Sequence, residues 1–541
     1  MSDPKKTNYL KGAAILAAAG VFVKIIGAIY KIPLFQDGVL GDEGNGDFQV
    51  TYSVFTLILT ISTAGIPAAL SRLISSANAE GNFYLKKRFF SVGLWAFSVV
   101  GIVSMLFMFF FADGFAGLMG NSKAAPGIRV LSPAVFFACI ISVYRGYAQG
   151  HENMVPTAVS QIIEVVSKAV FGISLALWLA HMGYQSHIIS AGAIVGVTIG
   201  LGLCVPVLIW FKRRIDREFL SSSENSDETG KVGVLGKILK VSFPITLSAS
   251  FMAVMVVVDN SIVLNRLQSA LGYSEAKARG LFGIFSRALS IYNLPPSLIV
   301  PVSISIIPAI AAALAKNRKD EASVIMQSSV KLVNLIAMPA SAGIMLLASP
   351  ILIALYNDSR SVTAEILIIL GAAMLFVCLQ YVTTSILQAN GFERVALLTF
   401  PIGATIRIAL SYFLAGNPGI EIKASPIGTL VCFVVITALN IVFIKVKIKE
   451  GPKFSGVFLK PLLCTGVMAA TVLVIYRLLY WLAGDLIGTG RMAVIVYLGL
   501  TIVVGVAVYG VLIIITGTIT MEDMKLVPKG ERLAKLLRVR I

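Results

Sequence analysis

The sequence predicts an all-α membrane protein with fourteen transmembrane helices, arranged as two six-helix lobes followed by two extra C-terminal helices. Hydrophobic residues make up 57% of the 541 residues and charged residues only 13%, about half the share that is typical of soluble domains. Apolar residues occur in runs that reach the roughly 20 residues a helix needs to cross a bilayer. Lys and Arg concentrate in alternate connecting segments, as expected for cytoplasmic loops.

The predicted spans follow one another with short connections. They lie at about 10–36, 47–77, 89–111, 127–150, 156–180, 187–211, 235–265, 280–315, 321–348, 361–390, 392–415, 423–446, 455–482 and 491–517. The first span is longer than the apolar core of a signal peptide, so we expect it to remain as a helix. Pro295, Pro296 and Pro301 predict a bent or broken eighth span, because proline removes a helical hydrogen bond.

A polar segment divides the chain after the sixth span. We expect an N-lobe at 1–215, a cytoplasmic linker at 216–234, a C-lobe at 235–450, and the last two spans with a basic tail at 451–541. The tripeptide at 66–68 recurs at 307–309, and Gln149 in the fourth span has a counterpart, Gln388, in the tenth. This weak repetition favours two parallel repeats, which in transporters place the binding site at their interface near the midplane.

The charge distribution predicts the orientation. The first outer loop is acidic and lacks Lys and Arg, whereas the segments on the side of the N-terminus are basic. Both termini are therefore expected in the cytoplasm, and the net charge of +18 is explained by topology without a nucleic-acid partner. The five cysteines all fall in apolar spans, and the three histidines fall in or near loops, so the sequence indicates no metal site.

Two lysines stand out in the first span. Gly20, Lys24, Gly27 and Lys31 are spaced so that they share one face of a helix. A lysine at mid-membrane costs roughly 2.5–3.5 kcal/mol even on the lenient insertion scale. The sequence therefore predicts that this face lines a wet, electropositive cavity.

The eighth span repeats this feature. Arg287 lies inside it, and Arg279 precedes Arg287 by two turns on the same face. Arg279 and Lys31 could instead extend to the membrane surface by snorkelling. Arg407 in the eleventh span could pair with a carboxylate of a neighbouring helix. A surplus of internal cations attracts anions, and both guanidinium and ammonium groups bind phosphate oxygens, so we expect a phosphorylated cargo.

Two deep carboxylates leave alternatives open. Glu164 precedes Lys168 by four residues, a spacing that favours a mutually neutralised pair. Asp259 in the seventh span could be a counter-ion for the cations, or a proton or cation site. The sequence has no phosphate-binding GxxxxGK[ST] motif and no outer loop long enough for a catalytic domain, so an enzyme is not expected.

The segment at 144–164, YRGYAQGHENMVPTAVSQIIE, resembles the polysaccharide-exporter branch of the MOP superfamily, the multidrug/oligosaccharidyl-lipid/polysaccharide exporters. That branch includes lipid II flippases and the stage V sporulation protein B group. The opening span and the layout of fourteen helices are similar to it as well. The resemblance implies that Lys24 and Arg287 line a central cavity, and that the last two spans help form a groove for a polyprenyl tail. The second-span arginine of lipid II flippases has no clear match.

The expected function is therefore a flippase that moves an undecaprenyl-pyrophosphate-linked saccharide across a bacterial cytoplasmic membrane by alternating access. Its partners would be that anionic lipid-linked oligosaccharide and the membrane lipids, without a cofactor, and the protein would be a monomer. The main alternative is a proton- or sodium-coupled exporter of cationic drugs, for which Asp259 and Glu164 are the candidate carboxylates. A membrane enzyme acting on the same lipid is the third reading.

Overall fold

The chain is seen in a computed structural model that describes residues 4–218, 231–448, 451–452, 454–487 and 490–519. All regular secondary structure in these residues is helical. The helices up to the linker are α1 (Pro4–Ile29), α2 (Lys31–Leu34), α3 (Gly41–Thr63), α4 (Ile66–Ala79), α5 (Phe83–Phe110), α6 (Ala112–Leu118), α7 (Ala125–Gly150), α8 (Val155–His181) and α9 (Ser186–Glu218). Those after it are α10 (Lys231–Ser269), α11 (Glu275–Tyr292), α12 (Leu294–Ala315), α13 (Lys319–Leu346), α14 (Ala348–Tyr356), α15 (Ser361–Ala389), α16 (Glu393–Ala415), α17 (Ala424–Lys447), α18 (Phe454–Ile487) and α19 (Arg491–Ile515).

The predicted class is confirmed: the protein is an all-α, multi-span membrane protein. Among the described residues, thirteen segments are long and apolar enough to cross a membrane, and they coincide with the second to the fourteenth predicted spans. The first predicted span coincides with α1 and α2. Most of the predicted linker and all of the tail beyond residue 519 lie outside the described residues.

The eighth span is broken where its prolines predict a break. Helix α11 ends at Tyr292, Asn293 forms a turn, and α12 begins at Leu294. Pro295 and Pro296 occupy the first turn of α12, where their missing N–H groups cost nothing because the first amides of a helix have no intrahelical acceptor. Two shorter helices, α11 and α12, thus replace one long helix in the eighth predicted span.

Contacts divide the chain into two compact units, Met1–Ser286 and Arg287–Ile541. In the first unit α7 packs against α4, α5 and α9, and α8 packs against α1 and α9. Helix α10, which the sequence analysis assigns to the C-lobe, packs against α3, α4 and α5 of this unit. The boundary between units therefore falls later than the predicted linker, and the division into two lobes of six helices stays a prediction.

The second unit is built around α13, α15 and α17. Helix α12 packs against α13 and α15, and α16 packs against α17. The last two spans, α18 and α19, contact each other, and α18 also packs against α13. The buried residues at this contact include Cys464, Met468 and Tyr509, so the two extra helices are joined to the unit by an apolar core.

Glycines allow the closest helix contacts in the first unit. A Cβ on Gly196 of α9 would lie 2.5 Å from the backbone nitrogen of Gly172 in α8, so only glycine fits there. A Cβ on Gly283 of α11 would overlap the carbonyl oxygen of Asp42 in α3. Small residues that let backbones approach this closely are typical of helix packing in membranes.

Candidate functional site

The two predicted lysines of the first span meet a third lysine in the first unit. Helix α1 runs along α8, and a Cβ on Gly27 would lie in ordinary contact with Val165, at 3.9 Å from its Cγ2. Lys168 follows Val165 by less than one turn, and Lys168 and Lys24 are the charged neighbours of Lys31. The structure therefore brings Lys24, Lys31 and Lys168 into one group, here called the lysine cluster.

The members of the lysine cluster differ in exposure. The Lys24 side chain is exposed, whereas Lys31 and Lys168 are partly buried. The Lys31 ammonium lies 5.6 Å from the centre of the Phe35 ring. Within the described part of the chain, neither Lys24 nor Lys168 has a carboxylate within ion-pair distance. Like charges repel more strongly where water is scarce, so an anion beside Lys24 and Lys168 would be favoured.

Two tyrosines hold Lys168 in place. Its ammonium lies 4.5 Å from the centre of the Tyr52 ring and 4.9 Å from that of Tyr30, and it is 3.4 Å from the Tyr52 hydroxyl. Tyr52 in turn stacks on Phe48, with ring centres 6.0 Å apart and planes 5° from parallel. The faces of aromatic rings attract a cation without removing its charge. The two rings thus hold the Lys168 side chain in position.

Glu164 is not the partner of Lys168 that the four-residue spacing favours. Its carboxylate accepts a hydrogen bond from Arg145 Nη2 at 3.1 Å, and Arg145 Nε donates to the Ser160 hydroxyl at 2.8 Å. The Arg145 guanidinium of α7 thus pairs with the Glu164 carboxylate of α8, because its planar group can donate hydrogen bonds to Ser160 and Glu164 at the same time. The charge of Glu164 is therefore matched by Arg145 and not by the lysine cluster.

Arg279 is a clamp between helices and not a snorkelling side chain. It is almost fully buried and donates two hydrogen bonds to Asp47 of α3, from Nε to Oδ1 and from Nη2 to Oδ2, both 2.7 Å long. Glu43 lies 3.3 Å from Nη1, and Asn121 donates to Asp47 Oδ1 at 3.0 Å. A bidentate pair of this kind fixes α11 against α3.

Arg287 is fully buried in the second unit, where it pairs with a carboxylate. Its Nη1 lies 3.1 Å from Asp358 Oδ2, in the connection between α14 and α15. Arg360 binds the same carboxylate through Nε and Nη2, at 2.9 and 2.6 Å, and Thr363 donates to it at 3.0 Å. The hydrogen bonds of Arg360 and the charge of Arg287 lower the pKa of Asp358 to about 2, so it is ionised at neutral pH.

The remaining candidates lie on α10 and α16. Asp259 is buried in α10, and its neighbour Asn260 donates a hydrogen bond to Ser53 of α3 at 3.1 Å. Arg407 is partly buried in α16 beside Gly428 of α17. All five cysteines are buried, and none of them forms a disulfide. Within the described residues, no group of three His, Cys, Asp or Glu side chains could hold a metal ion.

Of the predicted site residues, the structure brings Lys24 and Lys31 together and places Arg279 in a separate ion pair of the same unit. Arg287 belongs to the other unit, so a site shared by Lys24 and Arg287 stays a prediction. Lys168 is the residue that sequence reasoning assigned to the wrong partner. The sequence feature that could have indicated another partner for Lys168 is Tyr30, next to Lys31 in the chain, because the face of a tyrosine ring attracts a lysine ammonium from another helix.

Comparison with known proteins gives this architecture a context. The family model described as "Polysaccharide biosynthesis protein" matches residues 9–314. The uncharacterized membrane protein YabM of Bacillus subtilis is 26% identical over 532 residues, which cover 98% of this chain and 97% of that protein. The lipid II flippase MurJ of the same organism is 24% identical, with coverage of 93% and 94%. Its stage V sporulation protein B is 25% identical, with coverage of 82% and 86%.

Solved structures share the fold. A lipid II flippase MurJ in an inward closed conformation superposes with a TM-score of 0.67 at 18% identity, covering 93% of this chain and 98% of that one. A multidrug resistance MATE family transporter in an inward-facing conformation gives a TM-score of 0.62 at 16% identity, with coverage of 80% and 98%. At these identities the likeness extends to the fold alone, which both transport classes have in common.

Proposed function

Because the chain belongs to the polysaccharide biosynthesis protein family, within the MOP superfamily of transporters, we propose that it flips an undecaprenyl-pyrophosphate-linked saccharide across the cytoplasmic membrane. The cargo would be a lipid II-like precursor of the cell wall or of another polysaccharide. Its head group would enter from the cytoplasmic leaflet and leave on the outer side by alternating access. Both termini would lie in the cytoplasm.

The lysine cluster is the observation that supports an anionic cargo. Lys24, Lys31 and Lys168 lie together, and the nearest acidic residue along α8, Glu164, is already bound by Arg145. Ammonium groups at membrane depth are costly unless a counter-charge reaches them. A pyrophosphate supplies that charge on one small group, so the cost of Lys24 and Lys168, which have no carboxylate partner in the described part of the chain, is offset when cargo is bound.

Different parts of the proposed site have different roles. Lys24, exposed on α1, would make the first contact with the pyrophosphate, and Lys31 would stabilise it. Arg287 and Arg279 would contribute in states in which they exchange their present carboxylates for cargo. Arg287 is the better placed of the two for such an exchange, because Arg360 keeps Asp358 paired when Arg287 leaves.

Transport by single-site variants tests the proposal. Lys24→Ala should slow the movement of lipid-linked saccharide in proteoliposomes by about tenfold or more, as expected for one lost charge-assisted contact. Lys24→Arg should retain most of the rate, and Lys87→Ala, an exposed lysine at the start of α5, serves as the matched control. Adding Arg287→Ala to Lys24→Ala should abolish transport. Unchanged transport by a folded Lys24→Ala variant would contradict the proposal.

The drug-exporter alternative has support from the MATE fold likeness alone. An exporter of cations needs deep carboxylates that are available to the drug or to the coupling ion. Glu164 is neutralised by Arg145, and Asp259 is fully buried. Cells that overproduce the protein should therefore accumulate cationic dyes as control cells do. Lower accumulation that depends on Asp259 would favour the exporter.

A further inference from the structure

We propose that Arg491 is a positioning residue, which holds the C-terminal end of α14 and, through it, the Asp358 carboxylate that pairs with the buried Arg287. Because Arg491 is the first residue of α19, the last two spans are thereby connected to an arginine of the proposed cargo site. All of these residues lie in the second unit. The inference rests on the proposed function only for its effect on transport.

The first step is the way in which α14 ends. Asn357 has a left-handed backbone conformation, with a φ of 56°, and its N–H donates to the Ile353 carbonyl at 2.9 Å. The N–H of Asp358 donates to the Leu352 carbonyl at 3.3 Å. A left-handed residue with such a bond commonly terminates a helix. The turn therefore sets the direction in which Asp358 leaves α14.

The second step is the contact of Arg491 with the same helix end. Its Nε donates to the Ala354 carbonyl at 3.2 Å, and its Nη2 donates to the Leu355 carbonyl at 3.0 Å. The last carbonyl groups of a helix have no intrahelical donor and carry partial negative charge, which a guanidinium complements. The planar fork of Arg491 reaches both oxygens at once, so it fixes the end of α14 to the start of α19.

An apolar contact joins the same two helices. Helix α14 packs against α19, and one core of buried residues contains Ala354 of α14 together with Val494 and Leu498 of α19. Val494 follows Arg491 by three residues, so the apolar and polar contacts lie side by side. A shift of α19 should therefore carry the end of α14 with it.

The third step leads from α14 to Arg287. Asp358 lies two residues beyond the end of α14, and its Oδ2 is 3.1 Å from Nη1 of Arg287. Arg287 is fully buried, and a buried charge depends strongly on its partner. Arg360 and Thr363 bind this carboxylate from the start of α15, whereas Arg491 holds the backbone from which it projects. Loss of the Arg491 contacts should therefore loosen the pair of Asp358 with Arg287.

Chemical labelling of arginines in the purified full-length protein in detergent tests the inference. Phenylglyoxal reacts with accessible guanidinium groups, and peptide mass spectrometry measures each arginine separately. Arg287 should be protected in the wild type because it is fully buried. In Arg491→Gln it should be labelled about tenfold faster, since one lost charged hydrogen-bonding group shifts a local opening equilibrium by that order. Arg279, which is buried in the first unit, should stay protected in both proteins.

Two further arginine variants are the controls. Arg477→Gln removes an exposed arginine of α18 and should leave the labelling of Arg287 unchanged. Arg491→Lys keeps the positive charge but lacks the planar fork, so its labelling rate should fall between those of the wild type and Arg491→Gln. A folded Arg491→Gln variant in which Arg287 stays protected overturns the inference. Equal labelling of Arg287 and Arg279 in that variant also overturns it, because this result indicates general unfolding.

Asn357 provides a second, independent pair of variants. Alanine is strained in the left-handed conformation, whereas glycine adopts it freely. Asn357→Ala should therefore raise the labelling rate of Arg287 about threefold or more, and Asn357→Gly should leave it near the wild-type rate. Both changes are small, so they remain informative if Arg491→Gln prevents folding. Equal protection of Arg287 in the two variants contradicts the role of the α14 end.

Transport assays separate this inference from the proposed function. Movement of lipid-linked saccharide in proteoliposomes should slow about threefold or more in Arg491→Gln and stay at the wild-type rate in Arg477→Gln. Faster labelling of Arg287 with unchanged transport overturns the effect on transport and leaves the flippase proposal standing. A wild-type protein that moves no lipid-linked saccharide overturns the flippase proposal, and the labelling of Arg287 still decides whether Arg491 positions it.

Discussion

Replacing Asp358 by asparagine should lower the free energy of unfolding of the second unit, because it removes the charge that pairs with Arg287 and Arg360. The carboxylate is buried between Arg287, which is fully buried, and Arg360. Asparagine keeps the size of the side chain but removes the charge, as protonation does. The difference between the ordinary pKa of 3.8 and the value of about 2 corresponds to roughly 2.5 kcal/mol of stability at neutral pH.

The sign of the pH dependence follows from the same shift. The pKa of Asp358 is lower in the folded protein than in the unfolded chain, so its contribution is present above pH 4 and is lost as the pH falls towards 2. Asp358→Ala should cost more than asparagine, about 3–5 kcal/mol, because it removes the carboxylate that pairs with the buried Arg287 and leaves a cavity in its place.

Thermal unfolding in detergent measures this effect. The five cysteines are buried thiols that form no disulfide, so a thiol-reactive dye reports their exposure on unfolding. A loss of 2.5 kcal/mol lowers the melting temperature by roughly 5 °C if the second unit unfolds by itself, and by about half as much if the whole chain unfolds together. Adding Arg287→Gln to Asp358→Asn should restore part of the loss. Equal melting temperatures for wild type and Asp358→Asn would refute the reasoning.

Two further predictions concern the contact between α3 and α11. Asp47→Ala should destabilise the protein by about 3–5 kcal/mol, because Arg279 is left buried without its bidentate partner. The double variant with Asp47→Leu and Arg279→Met removes both charges, so it should be more stable than Asp47→Ala in the same dye assay. Gly283→Ala should reduce the yield of folded protein severely, because the new Cβ overlaps the backbone of Asp42. Gly280→Ala is the matched control, since its Cβ would lie 3.8 Å from Asp42 Cβ. A normal yield of Gly283→Ala would contradict this packing.

Local features of the structure could be predicted from the sequence because they depend on neighbours along the chain. The break of the eighth span follows from proline chemistry at 295 and 296, and it lies at Asn293. The spacing of Lys24 and Lys31 places both on one helical face, and in the structure they are charged neighbours. Hydrophobic runs alone defined the spans, since their length and composition decide whether a helix can cross a bilayer.

Partners from distant parts of the chain could not be predicted in the same way. Asp358 is 71 residues from Arg287, and Asp47 is 232 residues from Arg279. Nothing in a single sequence indicates which carboxylate a buried arginine meets. Glu164 shows that a local pattern can also mislead. Its i,i+4 spacing to Lys168 favours a pair within α8, but in the structure its carboxylate pairs with Arg145 of α7.

The arginines and the lysines among the candidate residues differ in their partners. Arg145, Arg279 and Arg287 each have a carboxylate within 3.1 Å, whereas Lys24 and Lys168 have none in the part of the chain that the structure describes. A bidentate guanidinium pair is strong and directional, which suits helix contacts, but a transporter must also release its cargo. An ammonium binds phosphate as a point charge, without the fixed geometry of a guanidinium fork.

This difference predicts how variants divide between stability and transport. Changes at Arg145, Arg279 and Arg287 should lower the melting temperature first, because each removes one partner of an ion pair. A change at Lys24 should leave melting almost unaffected and reduce cargo binding, because this exposed lysine has no carboxylate partner within the described chain. If lysine variants lost stability while arginine variants lost only transport, the cargo site would have to be moved from the lysine cluster to the arginines.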